Sequence, residues 1–260
     1  MTALTDATVV VRYEDPLALL LLNNPRRRNA LSAATLASLQ SALSQAALDD
    51  RVGAVILGSA LEGVFVSGGD IRELEALDGS TGGLRFARSV QAVFHTVETL
   101  PKPVVAAIDG YCLGAGLELA LAADIRIASD RALLASPQVG LGILPGLGGG
   151  QRLLRLCGRG CARRLILTAE RIDALEALRL GLVESVVPSA ALWETAKAIA
   201  LRLAHKPRTA MMLAKRMVNL ASQASLVDGC ACEASHFGLA CAAGYLQQSV
   251  LGSKGGGECE

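Results

Sequence analysis

Two short glycine-rich stretches carry residues with which a backbone can do chemistry: Ser67-Gly68-Gly69-Asp70-Ile71 and Gly114-Ala115-Gly116-Leu117-Glu118. Each follows an apolar run that reads as a strand and leads into a segment that reads as a helix. A strand-to-helix turn points its free N–H groups outward at the positive end of a helix dipole, where a developing negative charge is stabilised. Two such turns together would make an oxyanion hole. The same glycines would equally serve tight packing of strand on helix, and their spacing leaves both readings open. Glu118 falls in the first turn of its helix, where a carboxylate complements the dipole with or without a catalytic role. A third cluster, Gly140 to Gly150, has the look of a phosphate loop but lacks the Gly-Lys-Ser/Thr ending. The other glycine motifs do not match the dinucleotide fingerprint with its downstream acid.

The elements that must hold these turns alternate along the chain. Thr8 to Leu22 starts as an apolar/polar alternation and becomes LALLLL before Asn23-Asn24-Pro25, which reads as two strands of a buried sheet or a hairpin. Ser32 opens a helix to about Ala47, and short strands follow at Gly53 to Leu57 and Phe65-Val66. An amphipathic helix is expected between Thr81 and Leu100, ended by Pro101. Then come a strand at Val104 to Ile108, a helix at Gly114 to Ala123 and a strand at Ile125 to Ala128. Such alternation predicts an α/β fold with crossover connections. Beyond Arg152 the pattern turns helical: Gln151 to Leu156, Cys161 to Leu167, Ala174 to Leu180, Ala190 to Ala204, Ala210 to Leu220 and Leu226 to Val250, with one strand at Val183 to Val187. This divides the chain into an α/β core over 1–200, a helical region over 201–250 and a Gly-rich tail over 251–260 expected to be disordered.

Composition narrows the function classes. The chain is 52% hydrophobic, yet no run of about 20 apolar residues escapes charge, Gly or Pro, so the excess belongs to a core or a subunit interface. With aromatics at only 3%, Ala, Leu, Val and Gly must fill that core. A net charge of +1 gives no global attraction for nucleic acid or an acidic membrane, so any anion site must be local. The first fifteen residues, MTALTDATVVVRYED, lack a secretory pattern, and a cytoplasmic protein is expected. The seven cysteines are odd in number and scattered, so they are expected as reduced thiols. No His joins Cys157/Cys161 or Cys230/Cys232 at zinc-ligand spacing, and no metal is expected.

Across residues 8 to 220 the chain resembles the enoyl-CoA hydratase/isomerase (crotonase) family. The pieces that carry the resemblance are NNPRRRNALS at Asn23 to Ser32, VFVSGGDIREL at Val64 to Leu74, KPVVAAIDGYCLGAGLELALAADIRIAS at Lys102 to Ser129 and VGLGILPGLGGGQRLLRL at Val139 to Leu156, followed by LTAERIDALEALRLGLVESVVP. The resemblance implies a crotonase-like spiral of ββα units with a C-terminal helical trimerisation region, assembled as a homotrimer or dimer of trimers. It implies an acyl-CoA thioester as substrate, with coenzyme A arriving on the substrate and no separate cofactor. It assigns the oxyanion donors to the backbone N–H groups of Gly69 and Ala115. The family more often has Gly at the second position, but an alanine keeps the N–H that acts. Arg26, Arg27, Arg28 and Arg72 are the implied phosphate partners. Ala30, Ser67, Gly69, Asp70, Ile71 and Gly114 complete the implied coenzyme-binding wall.

The resemblance also marks two departures. A hydratase of this family uses two glutamates; Glu118 matches the first, but the second position, in Ser136-Pro137-Gln138, is Gln138. Glutamine has no useful acid–base pKa, so proton transfer there is lost. Three readings follow. Glu118 works alone as acid/base with Gln138 orienting water or substrate, in a hydratase, isomerase or decarboxylase. Alternatively, His95, Asp78 or Glu98, in the segment that lines acyl pockets in related proteins, supplies the missing proton. In the third reading the protein binds acyl-CoA without turnover. His205 and His236 read as packed or solvated, and Trp193 as a helix anchor. The tail departs too, since its only basic residue, Lys254, replaces the family's basic ending at a neighbour's coenzyme.

Overall fold

The computed structural model describes residues 7–244. Strands β1 (Val9–Glu14) and β2 (Leu17–Leu22) form the antiparallel hairpin that the first apolar run predicts. Helix α1 (Ala33–Leu48) begins where expected, with the Ser32 hydroxyl capping the Thr35 N–H at 3.2 Å. Three ββα turns follow. The first comprises β3 (Ala54–Ser59), β4 (Val64–Val66), the short α2 (Ile71–Glu75) and α3 (Gly79–Thr99). The second comprises β5 (Val104–Ile108), β6 (Tyr111–Leu113) and α4 (Ala115–Ala120). The third comprises β7 (Ile125–Ser129), β8 (Leu133–Ala135), a 3-10 turn Pro137–Leu141 and α5 (Gly149–Thr168). Then come β9 (Arg171–Asp173), α6 (Ala174–Arg179), β10 (Ser185–Val187), α7 (Leu192–Ala204), α8 (Arg208–Ala221) and α9 (Leu226–Ala242).

Within each turn, the first strand joins a large sheet of order β1-β2-β3-β5-β7-β10, parallel from β2 onward, and the second joins a small sheet of order β4-β6-β8-β9. This alternation winds the chain into a spiral. The centre of the large sheet is covered on both faces, so every residue of β2, β3 and β5 is buried and these strands do not alternate, whereas the edge strand β1 ends in exposed Arg12, Tyr13 and Glu14. Ala18, Leu20 and Leu22 of β2 face α1 and α3, while Leu17, Leu19 and Leu21 face Leu192, Ala196 and Ala200 of α7. On that second face a methyl group on Gly58 would fall 2.5 Å from the Trp193 ring, so the ring lies directly on the backbone of β3. Trp193 is thereby the anchor of its helix.

The two helices predicted at Gln151 to Leu156 and Cys161 to Leu167 are the two halves of α5, parted at Gly158, whose φ +75° and ψ 169° are non-helical. Other expectations are corrected. Strands β6, β8 and β9 are three residues each, too short to show a period, and the sequence reading passed over them. The last helix ends at Ala242, and the rest of its predicted range from 245, with the tail at 251–260, lies outside the described residues. No helix among the described residues is long and apolar enough to cross a membrane.

Helix α8 is tied to the spiral by polar contacts more than by apolar ones. The Lys215 ammonium is 2.7 Å from Asp124 Oδ2 and donates to the Val97 and Lys102 carbonyls at 3.2 Å each. Asn219 Nδ2 donates to the Glu98 carbonyl at 2.8 Å. Burial pushes the Asp124 carboxyl up and the Lys215 ammonium down, each against the attraction of its partner. Removing one partner therefore leaves the other buried and uncompensated. Lys215→Met is expected to cost about 3 kcal/mol in urea unfolding. The loss should be larger at about pH 8 than at about pH 5, because an Asp124 carboxyl with a raised pKa takes up a proton as the pH falls and sheds its buried charge. Adding Asp124→Asn, which removes the stranded charge, should recover part of the loss and flatten its pH dependence.

Candidate active site

The small sheet decides which loops meet. Strand β4 lies parallel to β6, pairing Val64 with Tyr111 and Val66 with Cys112, so the turns leaving both strands emerge side by side. Strand β6 in turn pairs Leu113 with Ala135 of β8, which sets the segment carrying Gln138 beside the segment carrying Glu118. The turn after β4 is fixed from below. Leu31 N–H donates to the Gly68 carbonyl at 2.9 Å, and Asp70 N–H returns to the Leu31 carbonyl at 3.1 Å. The buried Asn29 ties the preceding loop to Ser59 Oγ and the Phe65 carbonyl. Gly114, at φ +54° and ψ −117°, makes a bend that a side chain would strain, and it aims the first turn of α4 toward the 67–70 turn. A methyl group on Gly116 would lie 2.5 Å from Val66 Cβ, so α4 rests directly on β4. Among the described residues, the N–H groups of Gly69 and Ala115 have no acceptor, and both residues line one cavity.

That cavity has a volume of about 420 Å³. Its walls are almost wholly apolar, with Leu31, Leu74, Leu77, Phe86, Val90 and Leu144 prominent, and its polar side chains are Ser67, Glu118 and Gln138. Glu118 is only 3% exposed. Its Oε1 accepts the N–H of Leu147 at 2.9 Å and of Gly149 at 2.8 Å; its Oε2 accepts Gln138 Nε2 at 3.0 Å. Gln138 is oriented from its other end by Ser136 Oγ, which donates to Gln138 Oε1 at 2.8 Å. Burial pushes the Glu118 carboxyl above its ordinary range, and the three N–H donors and the Arg152 charge pull against that shift without overcoming it. A carboxyl held this way at the wall of an apolar cavity, with its neutral form favoured by burial, is suited to take and return a proton.

A second depression, outside the apolar cavity, is lined by Arg26, Arg27, Ala30, Ser67, Gly69, Asp70, Ile71 and Arg72. It shares Ser67, Gly69 and Ile71 with the cavity and adjoins it. Here Arg27 is paired with Asp70, which also caps α2 by accepting the Arg72 N–H. Arg28 does not line this depression, so the basic wall consists of Arg26, Arg27 and Arg72.

The alternative acids are not in the cavity. From α3 it is Gly83, Phe86, Ala87 and Val90 that line it, whereas His95 and Glu98 lie further along the helix, bonded to each other at 3.4 Å. Asp78 caps the start of α3 by position and does not line the cavity either. His205 closes α7, and His236 contacts Cys232 on α9, both remote from the site. The sequence reading missed the donors from Leu147 and Gly149. They come from the third glycine cluster, weighed only as a phosphate loop. Its signal was the run of adjacent glycines, which lets backbone approach closely: a methyl on Gly149 would lie 2.1 Å from Glu118 Cγ.

The family model for enoyl-CoA hydratase/isomerase matches residues 12–252. A short-chain-enoyl-CoA hydratase of Clostridium acetobutylicum is 42% identical over 230 residues, 88% of each chain. A crotonyl-CoA hydratase of Syntrophomonas wolfei is 39% identical over 231 residues, 89% of this chain and 88% of that one. Among solved structures, an enoyl-CoA hydratase from Bacillus anthracis superimposes with a TM-score of 0.84 at 38% identity, covering 88% of this chain and 89% of that one. The chain belongs to the enoyl-CoA hydratase/isomerase family, and its two-sheet spiral with the helices α8 and α9 is the crotonase fold.

The contact between Gly149 and Glu118 can be tested alone. Gly149→Ala is expected to displace the carboxylate from its two N–H donors and to cost about 2 kcal/mol in urea unfolding. Gly140→Ala, in the same cluster but with nothing within 4 Å of the added methyl, should leave stability unchanged.

Proposed function

We propose that this protein is an acyl-CoA enzyme that stabilises a thioester enolate, with Glu118 as its only acid/base. The observation that carries this reading is the meeting, in one apolar cavity, of a buried carboxyl of raised pKa with two unpartnered backbone N–H groups. The N–H groups of Gly69 and Ala115 receive the thioester oxygen, and pre-aimed donors of this kind contribute a few kcal/mol once that oxygen becomes an enolate. Arg26 and Arg72, with Arg27 held at Asp70, face the phosphates of the coenzyme. Arg28 acts on them only from beyond the depression. The hydratase names of the relatives favour addition of water to a conjugated enoyl thioester. In that step Glu118 takes the proton of a water whose oxygen bonds to C3. The enolate charge rests on the thioester oxygen, and Glu118 returns the proton to C2. Gln138 donates to Glu118 and orients the carboxylate and the water without exchanging a proton.

The neutral Gln138 also favours a second reading. Double-bond isomerisation needs one group that removes a proton and returns it elsewhere, and decarboxylation needs one proton delivered to the enolate. A single carboxylate suffices for either. Binding without turnover is the remaining alternative.

Absorbance of a short conjugated enoyl-CoA separates these. With the parent protein the absorbance should fall, and Glu118→Ala should slow that fall roughly 100-fold or more. If the parent leaves the absorbance unchanged while Gln138→Glu consumes it, the native reaction is not hydration. The assembly is a separate proposal: a trimer or dimer of trimers built on α8 and α9. Helix α9 has no buried residue and exposes Leu226, Val227, Phe237 and Leu239. Light scattering should give a mass near three or six chains of 26.9 kDa, and a monomer at micromolar concentration would refute it.

A further inference from the structure

Glu118 receives two of its three hydrogen bonds from the turn Leu147-Gly148-Gly149; Gln91 Nε2 tethers the start of that turn at the Gly146 carbonyl at 2.7 Å, and its far side rests on a residue that does not line the cavity. Arg152, one helical turn into α5, is mostly buried. Its Nη2 donates to Glu98 Oε2 on α3 at 2.9 Å, and its Nη1 lies 3.5 Å from the Leu147 carbonyl. The guanidinium and the carboxylate press on adjacent residues of the same turn. A methyl group on Gly148 would lie 2.4 Å from Arg152 Nη1, as one on Gly149 would lie 2.1 Å from Glu118 Cγ. Gly148 also has φ +98°, so neither its conformation nor its surroundings admit a side chain. Arg152 does not line the apolar cavity; it lines a cleft on the far side, between α5 and α8, together with Glu98, Lys215 and Asn219.

From this arrangement we infer that Arg152, held by Glu98, is a positioning residue for Glu118: it supports the donor turn from behind and supplies a positive charge that favours the carboxylate form. The inference rests on the reading of Glu118 as the acid/base. Around Glu118 the other elements present neutral groups, namely Gln138 from the 3-10 turn and the Leu147 and Gly149 N–H groups, and Arg152 is the charged residue whose field acts on it. Glu98 is the balancing charge one step further out. Burial opposes its ionisation, but the Arg152 guanidinium and the His95 ring hold its carboxyl below the ordinary range. The order Glu98–Arg152–turn–Glu118 thus alternates charge from a partly exposed glutamate to a buried one, and screening weakens toward Glu118.

Two variants should move the titration of Glu118 in opposite directions. Arg152→Met removes the charge and the support, so Glu118 should titrate at higher pH. The acid limb of kcat/KM should move with it, with a loss of roughly tenfold on that limb that recovers as pH rises. Glu98→Gln keeps an oxygen acceptor for Nη2 but leaves Arg152 uncompensated, so Glu118 should titrate at lower pH. Arg152→Lys, which restores charge without the fork, should return the titration toward the parent. Glu118 is followed directly by carbon-13 NMR of labelled glutamate side chains, assigned with Glu118→Gln, on the full-length protein, and activity by the enoyl-CoA absorbance. Opposite shifts support the inference. A folded Arg152→Met protein with parent-like Glu118 titration overturns it, and if that variant does not fold, an unshifted or upward Glu98→Gln titration overturns it. Because the NMR readout needs no turnover, a parent inactive on enoyl-CoA would refute the hydratase reading while leaving the positioning inference open to its own test.

Discussion

An ionisable carboxyl at the wall of an apolar cavity is costly to keep in place, and the structure around it is arranged to meet that cost. Isolated in such surroundings a carboxylate would simply protonate. Glu118 instead accepts two backbone N–H groups on one oxygen and an amide N–H on the other. The three donors come from two chain segments, the 147–149 turn and the segment at Gln138, and both must reach hydrogen-bond distance of a side chain on a third, α4; two close approaches in this arrangement pass through glycine. At Gly149 any side chain would occupy the space of the carboxylate, and at Gly116 any side chain would lift α4 off β4 and carry Glu118 with it. The glycine content of these loops is therefore a steric requirement of one acid, more than a general licence for flexibility.

The spiral explains how segments distant in sequence reach that point. Each ββα turn sends its second strand to the same small sheet, and parallel neighbours in a sheet release their following loops at the same edge. The 67–70 turn, the 114–118 turn and the segment at Gln138 are successive products of one repeated operation, each about one turn of the spiral from the last. A fold of this kind places three loops at a shared edge before any of their side chains is specified, and the chemistry is then a matter of which residues stand in those loops.

Much of this was legible in the sequence, and the limits have physical causes. Long elements such as α1 and α7 announce themselves because burial on one face repeats many times. The small sheet did not, because β6, β8 and β9 are three residues long, too short for an alternation of period two to repeat. Yet that sheet brings the loops together, so the turns could be recognised as candidates while their adjacency could not. Glu118 and Gln138 were visible as a pair only through family resemblance; their 3.0 Å contact depends on the pairing of Leu113 with Ala135. The donors at Leu147 and Gly149 were hidden for another reason: a backbone N–H leaves no mark of residue type, and the adjacent glycines that permit it look like any flexible loop. His95 and Glu98 lie on the expected helix but on a part of it beyond the cavity, a distinction of about two helical turns from Phe86 and Val90 that the segment as a whole could not resolve.

The amide at Gln138 gives the site a character that a second glutamate would not. Two carboxyl groups at 3 Å cannot both ionise, so one proton would be shared and the pair would titrate as a unit. With glutamine there, the side chain bonded to Glu118 is a donor with fixed direction, since Ser136 occupies the amide oxygen and turns the NH₂ group toward the carboxylate. That bond favours the ionised form of Glu118, while burial favours the neutral form, and the balance falls on the side of burial. Burial thus makes the carboxylate a stronger base than an exposed one while its three donors keep the ionised form accessible, and a lone acid/base needs both forms within one turnover. On the proposed reading, replacing the second acid removes a proton carrier but leaves the first with its protonation set by backbone geometry and one distant charge, and the reaction must be one in which a single proton goes out and comes back.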